Sequence, residues 1–146
     1  MNEIFFQNPA DKFVEEARAC LGTPFHHQGR KKEIGLDCIG LVVVALCALG
    51  FKVADRLDYG LRPDGSSLVK ALVEHGAQKV MFLQKGDILL FRYDHQPQHV
   101  AIASSPCSLI HAFAPARKVV ETQIGPYWRR RLVGIYRFTF DFKNKA

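Results

Sequence analysis

The sequence predicts an α+β protein in which helices come first and an antiparallel sheet of about five strands follows. Apolar residues recur at helical spacing before Gly50, whereas the pattern after Lys85 becomes short and strand-like. Brief polar turns separate the later segments, which favours antiparallel strand neighbours. Since 146 residues can bury one sizeable core, we expect a single domain over residues 1–146.

The first predicted helix covers residues 9–21 and lies on the core with one face. Asn8 is a good N-cap, Pro9 suits the first helical position, and Gly22 marks the end. The apolar residues that share the inner face are Phe13, Val14, Ala17, Cys20 and Leu21.

Residues 36–50 form the most apolar stretch of the chain and predict a helix that is buried on all sides. Asp37 is its expected N-cap and Gly50 its expected end. The stretch is shorter than the about 20 apolar residues that span a bilayer, so we expect no transmembrane segment. Cys38 falls in the first helical turn, where unpaired N–H groups and the helix dipole favour a thiolate of lowered pKa.

The other three cysteines are expected to be buried small hydrophobic residues of a reducing compartment: Cys20, Cys47 and Cys107. Their irregular spacing, without a Cys-x-x-Cys pair, favours neither a disulfide framework nor a structural zinc site.

Two segments between the helices and the strands are predicted to be mostly irregular. Residues 22–35 form a loop that leads into the Cys38 helix, and its adjacent His26 and His27 either line a cleft beside the cysteine or are solvated. Residues 51–65 are polar and turn-rich, with Arg-Pro-Asp-Gly as the turn signal. A short peripheral helix then begins at Ser66 or Ser67 and is closed by Gly76.

Five strands are predicted after Lys85, and a frayed polar tail follows them from residue 141. They cover residues 86–93, 99–103, 109–114, 118–124 and 132–140. Polar turns at residues 94–98 and 104–107 contain Pro97 and Pro106 and join the first three strands.

The formal net charge of +6 and the pI of about 9.3 favour an anionic partner such as nucleic acid, a membrane surface or an acidic cell-wall polymer. No nucleic-acid-binding motif accompanies the basic residues, so we expect no nucleic acid partner. The densest basic cluster, residues 129–131, is expected at a solvated strand edge, with a binding patch as the alternative. The N-terminus lacks the basic and apolar regions of a signal peptide, which predicts cytoplasmic synthesis.

A nucleophile, a base and an orienting group are available in three residues. His99 opens the second predicted strand and His111 lies midway along the third, so a hairpin would place them roughly opposite each other. Facing Cys38, one imidazole would take the thiol proton and the other polar group would fix its tautomer. This arrangement is typical of a thiol peptidase.

Two other interpretations of these residues remain open. Zinc ligation by His95 and His99, or by His99, His111 and Cys38, would use the same side chains, but no standard ligand spacing supports it, and we expect neither a metal nor another cofactor. His111 alone is also compatible with a buried structural histidine.

Several motifs occur in a characteristic order along the chain. Residues 21–29 read Leu-Gly-Thr-Pro-Phe-His-His-Gln-Gly, and residues 36–42 read Leu-Asp-Cys-Ile-Gly-Leu-Val. Lys-Gly-Asp-Ile-Leu-Leu-Phe, His-Val-Ala-Ile-Ala and Leu-Ile-His-Ala-Phe follow, and Pro-Tyr-Trp-Arg-Arg-Arg comes at residues 126–131. Over roughly residues 13–138 the sequence resembles the NlpC family of cell-wall cysteine peptidases, and within it the phage-type cell wall peptidases.

The resemblance implies a papain-like fold and cleavage of peptidoglycan stem peptides between D-γ-glutamate and a diamino acid. It implies Cys38 as nucleophile, His99 as general base and acid, and His111 as the orienting residue, with the Cys38 N–H in the oxyanion hole. The substrate cleft is expected to involve Phe25, His26, His27 and Asp37. Phage tail proteins are the further partners that the resemblance implies, with a virion tail as the place of action.

Two positions depart from the family pattern. Phe25 stands where the family usually has a tyrosine whose hydroxyl points toward the oxyanion, and losing one such donor can cost about 2.7–4 kcal/mol of barrier. Ile39 stands where serine is common. These departures keep a second function open, a tail-assembly or cell-wall-binding module with little turnover. A third is thiol acyl transfer or hydrolysis on a non-peptide substrate.

Overall fold

The computed structural model describes residues 8–55, 57, 59, 65–93 and 96–140. The turn signal at residues 62–64, Asp94 and His95 of the predicted turn, and the tail from residue 141 lie outside the described residues. So do residues 1–7, on which the signal-peptide prediction rests.

Four helices are present: α1 (Pro9–Arg18), α2 (Cys38–Ala48), α3 (Gly65–Glu74) and α4 (Pro126–Arg131). The Asn8 side chain accepts a hydrogen bond from the Ala10 N–H at 2.8 Å, which caps α1 as predicted. α1 ends earlier than expected, and the chain turns at Gly22 with φ +87°, a conformation that glycine adopts without strain.

Eight strands follow the chain as β1 (Arg30–Lys31), β2 (Gly35–Leu36), β3 (Gln78–Val80), β4 (Ile88–Tyr93), β5 (Gln96–Ser105), β6 (Ser108–Phe113), β7 (Lys118–Gln123) and β8 (Leu132–Arg137). β1 and β2 form a small hairpin. The other six make one antiparallel sheet in the order β3-β8-β4-β5-β6-β7. The predicted α+β class with helices packed on an antiparallel sheet is confirmed.

The sheet carries apolar side chains on both faces. Toward α1 and α2, Val100, Ile102 and Ile110 join the inner faces of the helices in the larger core. On the opposite face, Leu89 and Phe91 pack with other apolar residues under α4. Strands buried on both sides read as continuous apolar runs, which is why the sequence of β4 does not alternate.

The sheet of about five predicted strands has a sixth, β3, which is too short to give a pattern. Two other expectations about local structure are wrong. Residues 129–131 end the short helix α4 and do not lie at a strand edge. Cys47 and Cys107 are exposed, and only Cys20 of the three non-motif cysteines is buried, because the last turn of α2 and the β5–β6 turn both reach the surface.

Candidate active site

Cys38 begins α2 and is 7% exposed. The N–H groups of Cys38 and Ile39 precede the first intrahelical hydrogen bond, which Leu41 makes to the Asp37 carbonyl oxygen. Both N–H groups lie close enough to the thiol to stabilise its charged form. They are therefore donors available for an oxygen anion that develops beside the sulfur.

Asp37 fixes this helix end through four hydrogen bonds. Oδ1 accepts from the Gly40 N–H at 2.7 Å and from Arg30 Nη1 at 3.0 Å. Oδ2 accepts from the Gln28 N–H at 2.8 Å and from the Tyr59 hydroxyl at 2.5 Å. The predicted cap is thus observed, and with 4% exposure and four partners Asp37 ties the loop at residues 28–30 to the helix that carries Cys38.

Arg30 extends this network to a second carboxylate. Its Nε donates to Asp55 at 2.8 Å and its Nη2 donates to the Tyr59 hydroxyl at 2.7 Å. Burial has the largest single effect on Arg30 and lowers its pKa. The hydrogen bonds to Asp55 and Tyr59, together with the charge of Asp37, outweigh burial, so the net pKa is raised. The guanidinium therefore stays charged, and nothing in the sequence pattern had singled out Arg30 or Tyr59.

His99 and His111 form a buried hydrogen-bonded pair. His99 Nε2 lies 2.7 Å from His111 Nδ1, and the two rings meet edge to face with centroids 4.9 Å apart. They are 5% and 1% exposed. The sequence prediction that these two residues come together is met by the geometry, and the pairing leaves Nδ1 of His99 as the nitrogen free to exchange a proton.

The two histidines are diagonal neighbours, and the expectation that they lie roughly opposite each other is only approximately met. β5 and β6 pair Ile102 with Ile110. Continuing that register places His99 opposite Phe113, two residues from His111. This offset of two residues arises at the β5–β6 turn, because the sequence of the turn does not specify the register of the two strands.

A β-bulge immediately precedes His99. Phe91 of β4 pairs with His99, whereas Arg92 pairs with Pro97, so Gln98 is the extra residue on β5. Such bulges re-aim the side chains that follow them. The Gln98 Oε1 atom is buried without a hydrogen-bond partner among the described residues.

Aromatic side chains surround the histidine pair. Trp128 of α4 stacks on His99 with centroids 5.6 Å apart and meets His111 edge to face at 5.1 Å. Phe113 stacks on His111 at 4.8 Å, and Tyr93 lies against His99 at 5.8 Å. The role of Trp128 was not predicted, because its only signal in the sequence is its place in the Trp-Arg-Arg-Arg segment.

The thiol and the imidazoles reach the start of β5 from different sides. Cys38 belongs to the core on the α2 face, whereas the His99 ring contacts residues of the α4 face. The Val100 N–H is near enough to the thiol to favour its charged form. Cys38 therefore meets the backbone next to His99, and among the described residues no hydrogen bond joins its sulfur to either imidazole.

Burial sets the protonation of the three groups. It raises the pKa of the Cys38 thiol to about 12, and the charge of Asp37 adds to this rise. Burial also lowers the pKa of His99 well below its usual value, with a contribution from His111, and lowers that of His111 to about 4. The expected lowering of the Cys38 pKa is thus wrong, since desolvation outweighs the helix dipole and the nearby N–H groups.

The four predicted substrate residues lie around the loop that ends at Asp37. Phe25 is bridged to Leu36 and packs on the larger core. His26 is exposed and its Nδ1 lies 3.0 Å from the His27 carbonyl oxygen. The His27 ring meets Tyr59 edge to face at 5.5 Å.

Within the ranges that the structure describes, no three His, Cys, Asp or Glu side chains are grouped so that they could hold a metal ion. None of the helices described is long and apolar enough to cross a bilayer.

The NlpC/P60 family model matches residues 22–137, which include Cys38 and both histidines of the pair. The chain belongs to the NlpC/P60 family. The resemblance expected from the motifs is therefore confirmed. No curated protein is similar enough to this chain to count as a match.

Solved structures of NlpC/P60 proteins share the fold. A family member from Bacillus cereus ATCC 10987 is 24% identical with a TM-score of 0.68, over 88% of this chain and 40% of that one. The chain likewise spans 42% of a Staphylococcus aureus NLP/P60 lipoprotein-like structure, at 19% identity and a TM-score of 0.68 over 91% of this chain. The papain-like architecture predicted from the resemblance agrees with these neighbours.

Two further neighbours are covered over nearly their whole length. The NlpC/P60 domain of the peptidoglycan hydrolase SagA is 23% identical with a TM-score of 0.62, over 88% of this chain and 97% of that one. RipD of Mycobacterium tuberculosis is 17% identical with a TM-score of 0.65, over 92% and 99%. RipD is described as a non-catalytic NlpC/P60 domain protein adapted to peptidoglycan binding.

Proposed function

We propose that the chain is a cysteine endopeptidase that hydrolyses stem peptides of bacterial peptidoglycan. The observation that carries the proposal is the hydrogen-bonded His99–His111 pair. His99 is followed directly by Val100, whose N–H lies near the Cys38 thiol. Membership of the NlpC/P60 family and the likeness to the SagA domain support the substrate class. The bond between D-γ-glutamate and a diamino acid is proposed on the motif resemblance.

In this mechanism the sulfur of Cys38 attacks the scissile carbonyl carbon while Nδ1 of His99 accepts the thiol proton. The carbonyl oxygen becomes an anion and accepts hydrogen bonds from the N–H groups of Cys38 and Ile39. His99 then gives the proton to the leaving amine as the C–N bond breaks. Water, deprotonated by His99, hydrolyses the thioester and restores the thiol.

The pKa directions define the resting state from which this cycle starts. With the pKa of Cys38 at about 12 and those of both histidines lowered, all three groups are neutral at pH 7. Proton transfer from the thiol to His99 must therefore accompany attack. When His99 Nε2 donates to His111 Nδ1 in this hydrogen bond, Nδ1 of His99 is the nitrogen that accepts the proton.

The test is digestion of purified peptidoglycan, followed by detection of new amino termini with mass spectrometry. Wild type is expected to release peptides, and Cys38→Ala none. Cys47→Ala is the matched control, because it removes an exposed cysteine from the same helix. Equal release by wild type and Cys38→Ala contradicts the proposal.

A reactivity measurement tests the resting state independently of substrate. With a pKa of about 12, the thiolate fraction of Cys38 rises about tenfold for each pH unit between 7 and 10. Iodoacetamide labelling of Cys38, followed by peptide mass spectrometry, should therefore accelerate by that factor without a plateau. A plateau at or below pH 8 would show a lowered thiol pKa instead.

A second candidate function is a peptidoglycan-binding module with little turnover. It is favoured by the absence of a thiol–imidazole hydrogen bond among the described residues, and by Phe25, which offers no hydroxyl to an oxyanion. The described role of RipD shows that an NlpC/P60 domain can serve in this way. Cell-wall pull-down with no peptide release by wild type selects this alternative.

The biological setting proposed on the phage-type motifs is association with a phage or prophage tail. Tail-protein partners follow from that setting. Detection of the chain in purified virions by mass spectrometry tests it, and genes of tail proteins beside its own would support it.

A further inference from the structure

The face of the sheet that α4 covers carries a basic patch, formed by the three arginines of residues 129–131 and by Lys118 of β7. Lys118 pairs directly with Phe113, so the two side chains share a face, and Phe113 packs on Trp128 of α4 with ring centroids 5.4 Å apart. Among the described residues, no carboxylate pairs with any of these four cations. The proposed mechanism uses none of them.

The carboxylates that the structure describes lie mostly on the other face. Asp87 is the one that the β4–β8 register places on the α4 face, and Arg137 neutralises it through Nε at 2.8 Å and Nη2 at 2.9 Å. Glu121 is opposite Ile110 and pairs with Arg18 of α1 on the other face. The rest belong to α1, to α3 and to the segments on either side of α2. Charges of both signs therefore cover the other face, whereas the α4 face carries an excess of one sign.

Trp128 determines which way the three arginines point. It is 7% exposed and packs under the helix against the histidine pair. Consecutive residues of a helix are rotated by about 100° around its axis, so the three residues after Trp128 spread over the sides that do not face the sheet. Arg129 and Arg130 are exposed, and Arg131 is half-buried.

Helix capping accounts for only part of this positive charge. Arg131 Nη1 donates to the Tyr127 carbonyl oxygen at 3.0 Å, which satisfies one acceptor of the last turn. Arg92 Nη2 donates to the Arg130 carbonyl oxygen at 3.3 Å. The side chains of Arg129 and Arg130 make no hydrogen bond or ion pair among the described residues. Adjacent like charges repel one another, and an anion bound from outside relieves that repulsion.

A repeating polyanion suits this surface better than a single anion does. An exposed ion pair contributes little in water, so one phosphate ion would bind weakly. A polymer with a phosphate on every repeat meets several cations at once, and its first contact raises the effective concentration of the phosphates that follow. Guanidinium groups also form paired hydrogen bonds with phosphate oxygens, which favours arginines for this task.

Two features argue against nucleic acid as the polyanion. Tyr127 is the exposed aromatic residue of α4, but the guanidinium carbon of Arg131 lies 3.7 Å from its ring centroid and covers the surface on which a base would stack. The helix is six residues long, which is short for a recognition helix in a major groove. A chain of simple phosphodiester units needs neither stacking nor a groove.

We propose that the basic patch binds a phosphodiester polymer of the bacterial cell wall, of the poly(glycerol phosphate) type. The choice of a wall polymer rests on the proposed function, because a hydrolase of stem peptides works where such polymers lie. The contact is separate from the peptide whose bond Cys38 attacks. It holds the protein on the wall between one cleavage and the next.

The test is binding of fluorescently labelled poly(glycerol phosphate), measured by anisotropy with the Cys38→Ala protein as the parent, so that no cleavage takes place. The parent should bind the polymer, and the affinity should fall as salt is added. Adding Arg129→Gln and Arg130→Gln together should weaken binding about tenfold. The midpoint of thermal unfolding should stay unchanged, because neither side chain has a described partner.

The matched control combines Lys12→Gln with Lys70→Gln. It removes two exposed cations from α1 and α3 and leaves the same net charge, so it should bind like the parent. Unlabelled duplex DNA and phosphatidylglycerol vesicles are the competitors that represent other phosphate-bearing partners. A flexible chain can follow the turn of α4, whereas a stiff duplex and a flat vesicle meet it at few phosphates, so both should compete less well than unlabelled polymer at equal phosphate concentration.

The inference is overturned if the polymer does not bind, if the double arginine variant binds as tightly as its parent, or if the lysine control loses as much affinity. Better competition by DNA or by vesicles than by the polymer overturns it as well. Peptide release by the protein with intact Cys38 is measured separately. Cleavage of stem peptides without polymer binding refutes the role of the basic patch alone, whereas polymer binding by a protein that cleaves nothing refutes the peptidase function alone.

Discussion

Replacing His111 with asparagine should remove much of the acid sensitivity of the fold. His111 is 1% exposed, and burial lowers its pKa from 6.5 to about 4. Between about pH 6.5 and pH 4 the His111 imidazole binds a proton in the unfolded chain but not in the folded protein. The stability that His111 contributes as a neutral group is therefore complete above pH 6.5 and is lost as the pH falls toward 4.

The magnitude follows from the shift. About 2.5 pKa units correspond to about 3 kcal/mol when the effect is complete at pH 4 and below. At pH 5.0 the unfolded state is almost fully protonated and the folded state hardly at all, which gives about 2 kcal/mol. At pH 7.5 the contribution is close to zero.

Urea denaturation at pH 7.5 and pH 5.0 gives the fall in unfolding free energy between the two pH values for each protein. The effect is the difference between this fall in wild type and in His111→Asn. The asparagine amide occupies the position of the His111 Nδ1 atom, so the variant keeps a partner for His99. It is destabilised at both pH values by its smaller side chain, but the fall in unfolding free energy between them should be about 2 kcal/mol smaller than in wild type.

His26→Gln is the control for loss of one imidazole, because His26 lies in the exposed loop. Carboxylates that titrate in the same range affect all three proteins alike and cancel in the comparison. An equal fall in wild type and His111→Asn would falsify the reasoning that burial of a neutral His111 carries the acid sensitivity.

Two further predictions concern the N-terminus of α2. Gly40→Ala should destabilise the fold by about 1–3 kcal/mol in urea denaturation, because a Cβ there would overlap the carbonyl oxygen of Gly29. Gly125→Ala is its control, since the space around that position is open, and an equal loss in both variants would contradict the steric argument. Asp37→Ala should cost about 3–5 kcal/mol because it removes the helix cap and leaves Arg30 without one of its carboxylates. Asp37→Asn, which keeps the cap, should lose less, and a loss below about 1 kcal/mol in Asp37→Ala would show that the network contributes little.

The helices α1 to α3 and the later strands were predictable because their signals are local. Asn8 and Asp37 accept hydrogen bonds from N–H groups a few residues ahead, and these contacts depend on sequence neighbours only. The strands from Ile88 to Phe113 are long, rich in residues that favour strands, and separated by turn residues. Their sequence pattern was therefore enough to predict them. β3 is three residues long and is a strand only because β8 pairs with it.

The segment 126–131 shows where local reasoning fails. Its run of three arginines next to β8 resembles a solvated strand edge, yet Pro126 begins a helical turn and Trp128 drives that turn onto the histidine pair. The same segment supplies Arg131. Tertiary burial of one tryptophan thus decided both the secondary structure and the position of the positive charge.

The sequence by itself determined the fold class, the family motifs and the identity of the three residues in the proposed catalytic set. It determined that Cys38 begins a buried helix, because composition and capping are properties of the chain. Only the tertiary structure decided the protonation of that cysteine. Desolvation depends on what the rest of the chain packs around the sulfur, and here it outweighs the helix dipole and raises the pKa to about 12.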